Sequence, residues 1–321
     1  MEESPTTIAV SDEQLNEFLS AAFGSRPGWV IGKREPIGSY QQHLERIRLD
    51  WPERTYPVAE GGKDEVSGSE DSETVFLRVY QGFMSWWTLA TPDLPQREQT
   101  AWRVAARAGI PVPDTLWTVE LPEIAAAVQR LSPGQAVAAL PMTDALEASL
   151  GQMLARLHRA QVETVDLGHL PDIRLAALFP RLLAWAEEAD ATELLESAKR
   201  LQKQFGEEIV EQPPVFLHGD FHRGNVLADG DEVTAVIDWE EAAYGDPRLD
   251  ICVMEMVLRR RADGGKVFVA AYEAASGLAA GPLKPWEELC EVRNRIVGAW
   301  VKGRVAKGHS LPTARPEAWF M

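Results

Sequence analysis

The sequence predicts an α+β protein of two lobes, a small β-rich first lobe and a larger, mostly α-helical second one. Three observations carry this. Apolar and polar residues alternate in short runs before residue 131, as half-buried strands require. Beyond residue 134 apolar residues recur at helical spacing. Between the two, Ser132-Pro133-Gly134 breaks the pattern. A chain of 321 residues also suits two domains at about 150 residues each. With 45% hydrophobic residues it can build a core without a disulfide or metal staple. The expected lobes are residues 1–131 and 132–321.

The elements follow in order. Ser11 caps a helix to Phe23, and His43–Leu49 alternates as a strand. Residues 51–74 hold seven acids with Pro52, Pro57, Gly61, Gly62 and Gly68, a composition that reads as a solvated loop. Val75–Tyr80 is a second clear strand. A helix opens at Pro95, a favoured first-turn residue, and ends at Gly109; strands follow at Thr115–Val119 and Ala125–Leu131. In the second lobe, Ala145–Ala160, Pro180–Ala189 and Ala191–Phe205 read as helices, Pro214–Leu217 and Val233–Ile237 as strands, and the chain from Leu249 as helical again.

The charge restricts partners. With 32 Lys and Arg against 49 Asp and Glu, the formal net charge is −17. That field repels nucleic acid and anionic lipid and attracts small cations, so neither nucleic-acid nor membrane binding is expected. Cys252 and Cys290 lie in apolar, helix-like surroundings without metal or disulfide spacing, which suits a reducing compartment. The acidic start lacks an export pattern, and the expected location is the cytoplasm. Most of the 11 tryptophans are expected to pack in cores rather than cage a cationic ligand. Glu240, Glu241, Asp246 and Glu255 read as a solvated acidic surface, and Arg259-Arg260-Arg261 as a solvated helix end.

The chemistry concentrates in two stretches. VFLHGDFHRGNVL (215–227) carries His218, Asp220, His222 and Asn225, and VIDWE (236–240) presents Asp238 eighteen residues after Asp220. A carboxylate beside a hydroxyl can orient it and accept its proton. An amide oxygen and a second carboxylate are the hard oxygen donors that Mg²⁺ takes. Gly219 and Gly224 permit the tight turns that let these groups converge.

HGDFHRGNVL, followed by VIDWE and GDPRLDI, resembles the signature of the aminoglycoside phosphotransferase and choline kinase family. Its order and spacing are similar to the catalytic and metal-binding motifs of protein kinases. The resemblance spans about residues 30–275 and implies a protein-kinase-like fold and a phosphotransferase acting on an alcohol. It implies Asp220 as catalytic base, Asn225 and Asp238 as Mg²⁺ ligands, His218 as a loop-shaping residue and Asp250 as a brace of that loop. His222 is either a polar loop residue or a neighbour of the site. Nucleotide contacts are expected from Arg78 paired with Glu98, from Ser39 in the GSYQ loop (38–41), and from the hinge at Gln129 and Leu131. Arg78 stands where kinases carry lysine, and no G-x-G-x-x-G is present; a planar fork does not simply replace a point charge.

The implied reaction moves the γ-phosphate of ATP or GTP to a hydroxyl of a small, cationic acceptor such as an aminoglycoside. Choline, homoserine, macrolides and sugars are alternatives, and the oligomeric state is unknown. Two readings compete: a catalytically silent nucleotide-binding module, and a hydrolase using His218, Asp220, His222 and Asp238 around a transition metal.

Overall fold

The computed structural model describes residues 10–23, 30–37, 42–50, 72–80, 84–85, 87–90, 94–120, 125–258 and 265–307. Ser39 and its loop, most of the acidic segment 51–74, Arg259-Arg260-Arg261 and Trp319 lie outside them. The chain divides into two compact units, Met1–Gly82 with Asp114–Leu131, and Phe83–Pro113 with Ser132–Met321.

The first unit contains α1 (Asp12–Phe23), β1 (Val30–Ile37), β2 (Gln42–Asp50) and β3 (Ser72–Tyr80). The second begins with β4 (Met84–Ser85), β5 (Leu89–Ala90) and α2 (Leu94–Arg107), after which β6 (Thr115–Glu120) and β7 (Ala125–Arg130) return to the first. The remainder of the second unit runs β8 (Gln135–Ala136), α3 (Asp144–His158), α4 (Thr164–Leu167), α5 (Leu175–Glu188), α6 (Thr192–Glu207), β9 (Val215–Leu217), β10 (Val226–Asp229), β11 (Glu232–Val236), β12 (Ala243–Gly245), α7 (Arg248–Leu258), α8 (Lys266–Ser276) and α9 (Lys284–Ala306). A sheet-rich unit and a helix-rich unit are the α+β architecture that the change of periodicity predicts.

The first unit is an antiparallel sheet in the order β1-β2-β3-β7-β6. The period of two is visible in its core: Ile47 and Leu49, Val75, Leu77 and Val79, and Ala126 and Val128 bury one face with Leu15, Phe18 and Leu19 of α1. Ser11 caps α1 as expected: its hydroxyl accepts the Gln14 N–H at 3.2 Å and its own N–H donates to Gln14 Oε1 at 3.1 Å, satisfying two helix-end donors reciprocally. Arg78 lies mid-strand between Leu44 and Ala127 and is buried.

In the second unit, α5, α6, α7 and α9 share a core in which Phe179, Leu182, Leu201, Phe205, Cys252, Trp286, Leu289 and Cys290 are buried. Trp87, Trp239 and Trp286 are fully buried, as core packing of the tryptophans requires. Helix α5 corrects a boundary. It starts at Leu175, so Pro180 is inside it rather than at its start. One missing N–H near the helix start is outweighed by burying Leu178, Phe179, Leu182 and Ala186. Helices α3 and α8 pack at Gly151, where a Cβ would stand 2.3 Å from the Phe268 carbonyl oxygen. Glu147 of α3 accepts the N–H groups of Gly265 and Phe268 at 2.9 and 3.0 Å, supplying acceptors at the start of α8.

Two small sheets frame the motif residues: β11-β10-β8, and the antiparallel pair β12-β9. Among the described residues no helix is long and apolar enough to cross a membrane.

Candidate active site

Strand β9 ends at Leu217 and delivers His218 into a loop fixed chiefly by one carboxylate. Asp250, fully buried near the start of α7, accepts the His218 N–H through Oδ2 and the Gly219 N–H through Oδ1, both at 2.8 Å. Behind it His158 Nε2 lies 3.2 Å from Oδ2, and His158 Nδ1 lies 2.9 Å from the Tyr272 hydroxyl. A buried carboxylate is costly unless it is hydrogen-bonded; here three donors compensate it. Asp250 therefore braces the loop geometrically.

His218 shapes the same loop. Its Nε2 donates to the Ile237 carbonyl at 2.9 Å and its Nδ1 accepts the Asp220 N–H at 3.3 Å. These contacts select the tautomer protonated on Nε2. The ring packs beside Trp239, centroids 4.6 Å apart, and Trp239 stacks on Phe216 at 5.8 Å. Gly219 has φ +82°, and a Cβ there would lie 1.9 Å from the Glu241 carbonyl oxygen. Only glycine tolerates both constraints. The Gly219 carbonyl accepts the Trp87 indole N–H at 3.1 Å, a contact between residues far apart in sequence.

Asp220 follows, its side chain 41% exposed. Its Oδ2 accepts the Asn225 amide N–H at 3.1 Å and lies 3.3 Å from His222 Nε2, while Oδ1 has no partner among the described residues. Burial raises the Asp220 carboxyl, but the His222 hydrogen bond and nearby positive charge, Arg293 included, bring it below the ordinary 3.8. The reciprocal effect appears on His222. Its hydrogen bond to Asp220 lifts the imidazole above 6.5 against burial, aided by the charges of Asp220 and Asp238. His222 Nδ1 accepts the Gly224 N–H at 2.9 Å. Of the two readings open for His222, the structure makes it a neighbour of Asp220.

Asn225 closes the turn. Its Nδ2 also donates to the Asp220 carbonyl at 3.1 Å, committing the nitrogen end of the amide and leaving Oδ1 without a donor among the described residues. Its carbonyl accepts the Ile237 N–H at 2.9 Å, and Val226 pairs with Val236 across β10 and β11. The ladder thereby places Ile237 opposite Asn225 and Asp238 directly after it, just past the end of β11. Asp238 adopts φ +67°, a conformation that aspartate tolerates better than most residues and that often marks a functional turn.

Glu98, fully buried in α2, accepts the Trp239 backbone N–H at 3.3 Å and so fixes the residue next to Asp238. Arg78, Gln129 and Leu131 belong to the first unit. Arg78 is buried with its guanidinium 6.0 Å from the Tyr80 ring centroid. Gln129 donates to Thr115 Oγ1 at 3.1 Å, and the exposed Leu131 donates its N–H to the Thr74 carbonyl at 3.3 Å.

The acidic group is corrected. Glu241 and Asp246 are buried rather than solvated. Glu241 Oε2 accepts the Ser85 hydroxyl at 2.6 Å, and Arg97 donates to Ser85 Oγ and to the Glu240 carbonyl. Asp246 forks onto Arg248 and accepts the Gln212 N–H at 2.7 Å. An acid run gives no sign of such partners because Ser85, Arg97 and Gln212 are distant in sequence. Trp87 and Arg293 were missed for the same reason, and no local signal marks either.

Comparison with known proteins agrees with this arrangement. The model of the phosphotransferase enzyme family matches residues 64–290. Homoserine kinase of Neisseria meningitidis serogroup B is 29% identical over 147 residues, 40% of this chain; the match spans less than half, 44%, of that relative. Among solved structures, spectinomycin phosphotransferase in complex with ADP and spectinomycin is similar over 97% of this chain and 94% of its own, with TM-score 0.63 and 13% identity. An amicoumacin kinase in complex with AMP-PNP and Ca²⁺ is similar over 96% of this chain and 90% of its own, with TM-score 0.57 and 12% identity. At such identities the two structures establish a shared, kinase-like fold.

Proposed function

We propose, because the chain belongs to the phosphotransferase enzyme family, that it transfers the γ-phosphate of ATP or GTP to a hydroxyl of a small molecule, with Asp220 as the residue that receives that hydroxyl. The observation that carries this is the local geometry of Asn225. One end of its amide holds Asp220 and the other has no donor among the described residues, while the β10–β11 ladder pairs Asn225 with Ile237, the residue before Asp238.

Asp220 orients the acceptor. Its Oδ2 is occupied by Asn225 and His222, so Oδ1 is the atom that faces the hydroxyl. A carboxylate held below its ordinary range is a weak base, and a group far below the working pH removes protons poorly in the ground state. Its work is therefore alignment, with the proton passing to Oδ1 late, as bonding to phosphorus advances in a loose transition state.

Mg²⁺ fits the remaining donors. The Asn225 Oδ1 and the Asp238 carboxylate would hold it, hard oxygens of the kind this ion selects. Bound there, the ion would supply positive charge to offset the negative charge that develops on the phosphate. Glu98 keeps the backbone beside Asp238 in place. We assign Arg78 of the first unit to the phosphates, and the 129–131 hinge and Ser39 to the nucleotide; ADP in the spectinomycin enzyme and AMP-PNP in the amicoumacin enzyme support a nucleotide co-substrate. The transition-metal hydrolase reading has no support. Among the described residues no three His, Cys, Asp or Glu side chains gather to hold a metal.

The spectinomycin and homoserine relatives frame two acceptor chemistries, cationic antibiotics and hydroxy amino acids. The test is a panel of aminoglycosides, choline, hydroxy amino acids, macrolides and sugars, scored for acceptor-dependent ADP or GDP release. Release with at least one acceptor, abolished by Asp220→Asn, supports the reading. Mg²⁺–nucleotide binding without transfer to any of them leaves a silent binding module instead.

A further inference from the structure

His222 stands between the Asp220 carboxylate and the Gly224 backbone, and each contact uses a different ring nitrogen. Nδ1 accepts the Gly224 N–H at 2.9 Å, which puts the proton of the neutral ring on Nε2. Nε2, the nitrogen that carries the hydrogen, stands 3.3 Å from Asp220 Oδ2. The Asn225 amide donates to that same oxygen at 3.1 Å. Two donors from two residues therefore converge on Oδ2.

Gly224 is explained by this ring. Its φ lies outside the left-handed region, so its backbone does not demand glycine. A Cβ there would meet His222 Cε1 at 2.7 Å and Nδ1 at 3.0 Å, and the next nearest atom, Nε2 of the same ring, is 3.9 Å away. Among the described residues, the space that the missing side chain leaves is taken by the imidazole alone.

We propose that His222 is a positioning residue of the phosphotransfer site: together with Asn225 it pins Asp220 Oδ2 so that Oδ1 stays turned toward the acceptor hydroxyl, and Gly224 is the seat that holds its ring in place. This rests on the phosphotransferase reading and adds to it the pair that aims the carboxylate. The terminal torsion of an aspartate is broad and roughly two-fold, and the Asp220 side chain is 41% exposed, so packing alone does not fix it. A second donor restrains the swing that one donor permits. Rate depends on that restraint, because a misplacement of about 1 Å can cost about a hundredfold.

The test uses His222→Ala, His222→Gln, Gly224→Ala and the double variant His222→Ala/Gly224→Ala. The His222 side chain is 34% exposed, so its loss leaves no sealed cavity, and glutamine keeps an N–H donor near the Nε2 position. With L-homoserine and spectinomycin as acceptors, His222→Ala should lower kcat roughly ten- to a hundredfold, the range of one hydrogen bond to a charged group. Acceptor KM and the calorimetric Kd of AMP-PNP should stay within about threefold of wild type, as for an interaction that matters in the transition state. His222→Gln should restore most of the loss. Gly224→Ala should reproduce it by displacing the ring, yet cost nothing further in the His222→Ala background, where there is no ring to displace. In an arm that needs no turnover, crystals with Mg²⁺ and AMP-PNP should show the Asp220 carboxylate in one orientation in wild type and in another, or in two, in His222→Ala. An unchanged kcat in His222→Ala, losses that multiply in the double variant, or the same single Asp220 orientation in His222→Ala overturns the inference. Absence of transfer by wild type bears on the phosphotransferase reading, while the orientation of Asp220 still decides the lock.

Discussion

The Asp250 carboxylate holds the backbone of His218 from 32 residues downstream, Oδ2 accepting its N–H at 2.8 Å. The adjacent Gly219 N–H is held equally closely by Oδ1. The segment that presents Asp220 is therefore shaped by α7 and not by its own sequence alone, and this separates residues that build the site from those that act in it.

Asp250→Ala is expected to act on the fold first. It orphans two buried N–H groups and removes the partner of His158, and each unsatisfied buried group costs about 1–3 kcal/mol. Urea unfolding should show a loss of roughly 2–6 kcal/mol. A midpoint within error of wild type would mean that the loop is held elsewhere.

Asp220→Asn should do the opposite. The side chain is partly exposed, so stability changes little, while turnover falls by about 10²- to 10⁴-fold. Nucleotide affinity, read by calorimetry, should be retained because nothing proposed for Asp220 touches the nucleotide.

Gly219→Ala places a Cβ 1.9 Å from the Glu241 carbonyl oxygen at a φ that alanine avoids. Backbone opposes it, so nothing small can yield. The expected outcome is loss of activity with a lower melting temperature, and an active, equally stable variant would contradict the observed turn.

The His222–Asp220 contact has a pH signature. His222 is raised above 6.5, so its contribution is fully present below that value and fades as pH climbs through the folded-state value. Asp220 is lowered below 3.8, so its contribution is present above that value and fades as pH falls through the folded-state one. The melting-temperature gap between wild type and His222→Gln should therefore be widest at about pH 4–6.5 and close on the alkaline side. A gap that widens with pH would reverse the assigned sign.

Much of the fold follows from local signals. Ser11, the alternation in β2 and β3, and the Pro95-to-Gly109 helix were legible because capping, pleat and helix termini act over a few residues. The spacing of Asp220, Asn225 and Asp238 is likewise local, set by one loop and one hairpin. Pro180 misled because local preference yielded to burial of Leu178 and Phe179. Strands β8 and β12 are too short to show a period. Trp87 and Arg293 were illegible for a different reason: their roles arise from contacts with Gly219 and with each other across most of the second unit, which no window of sequence contains.

The central claim is that Asn225 and Asp238 hold a divalent ion beside Asp220. Its most direct test is the anomalous map of crystals grown with Mn²⁺ and AMP-PNP. The account predicts a peak at coordination distance from Asn225 Oδ1 and the Asp238 carboxylate, with the γ-phosphate turned toward Asp220. An ion bound to other residues, with Asn225 and Asp238 left uncoordinated, would contradict it.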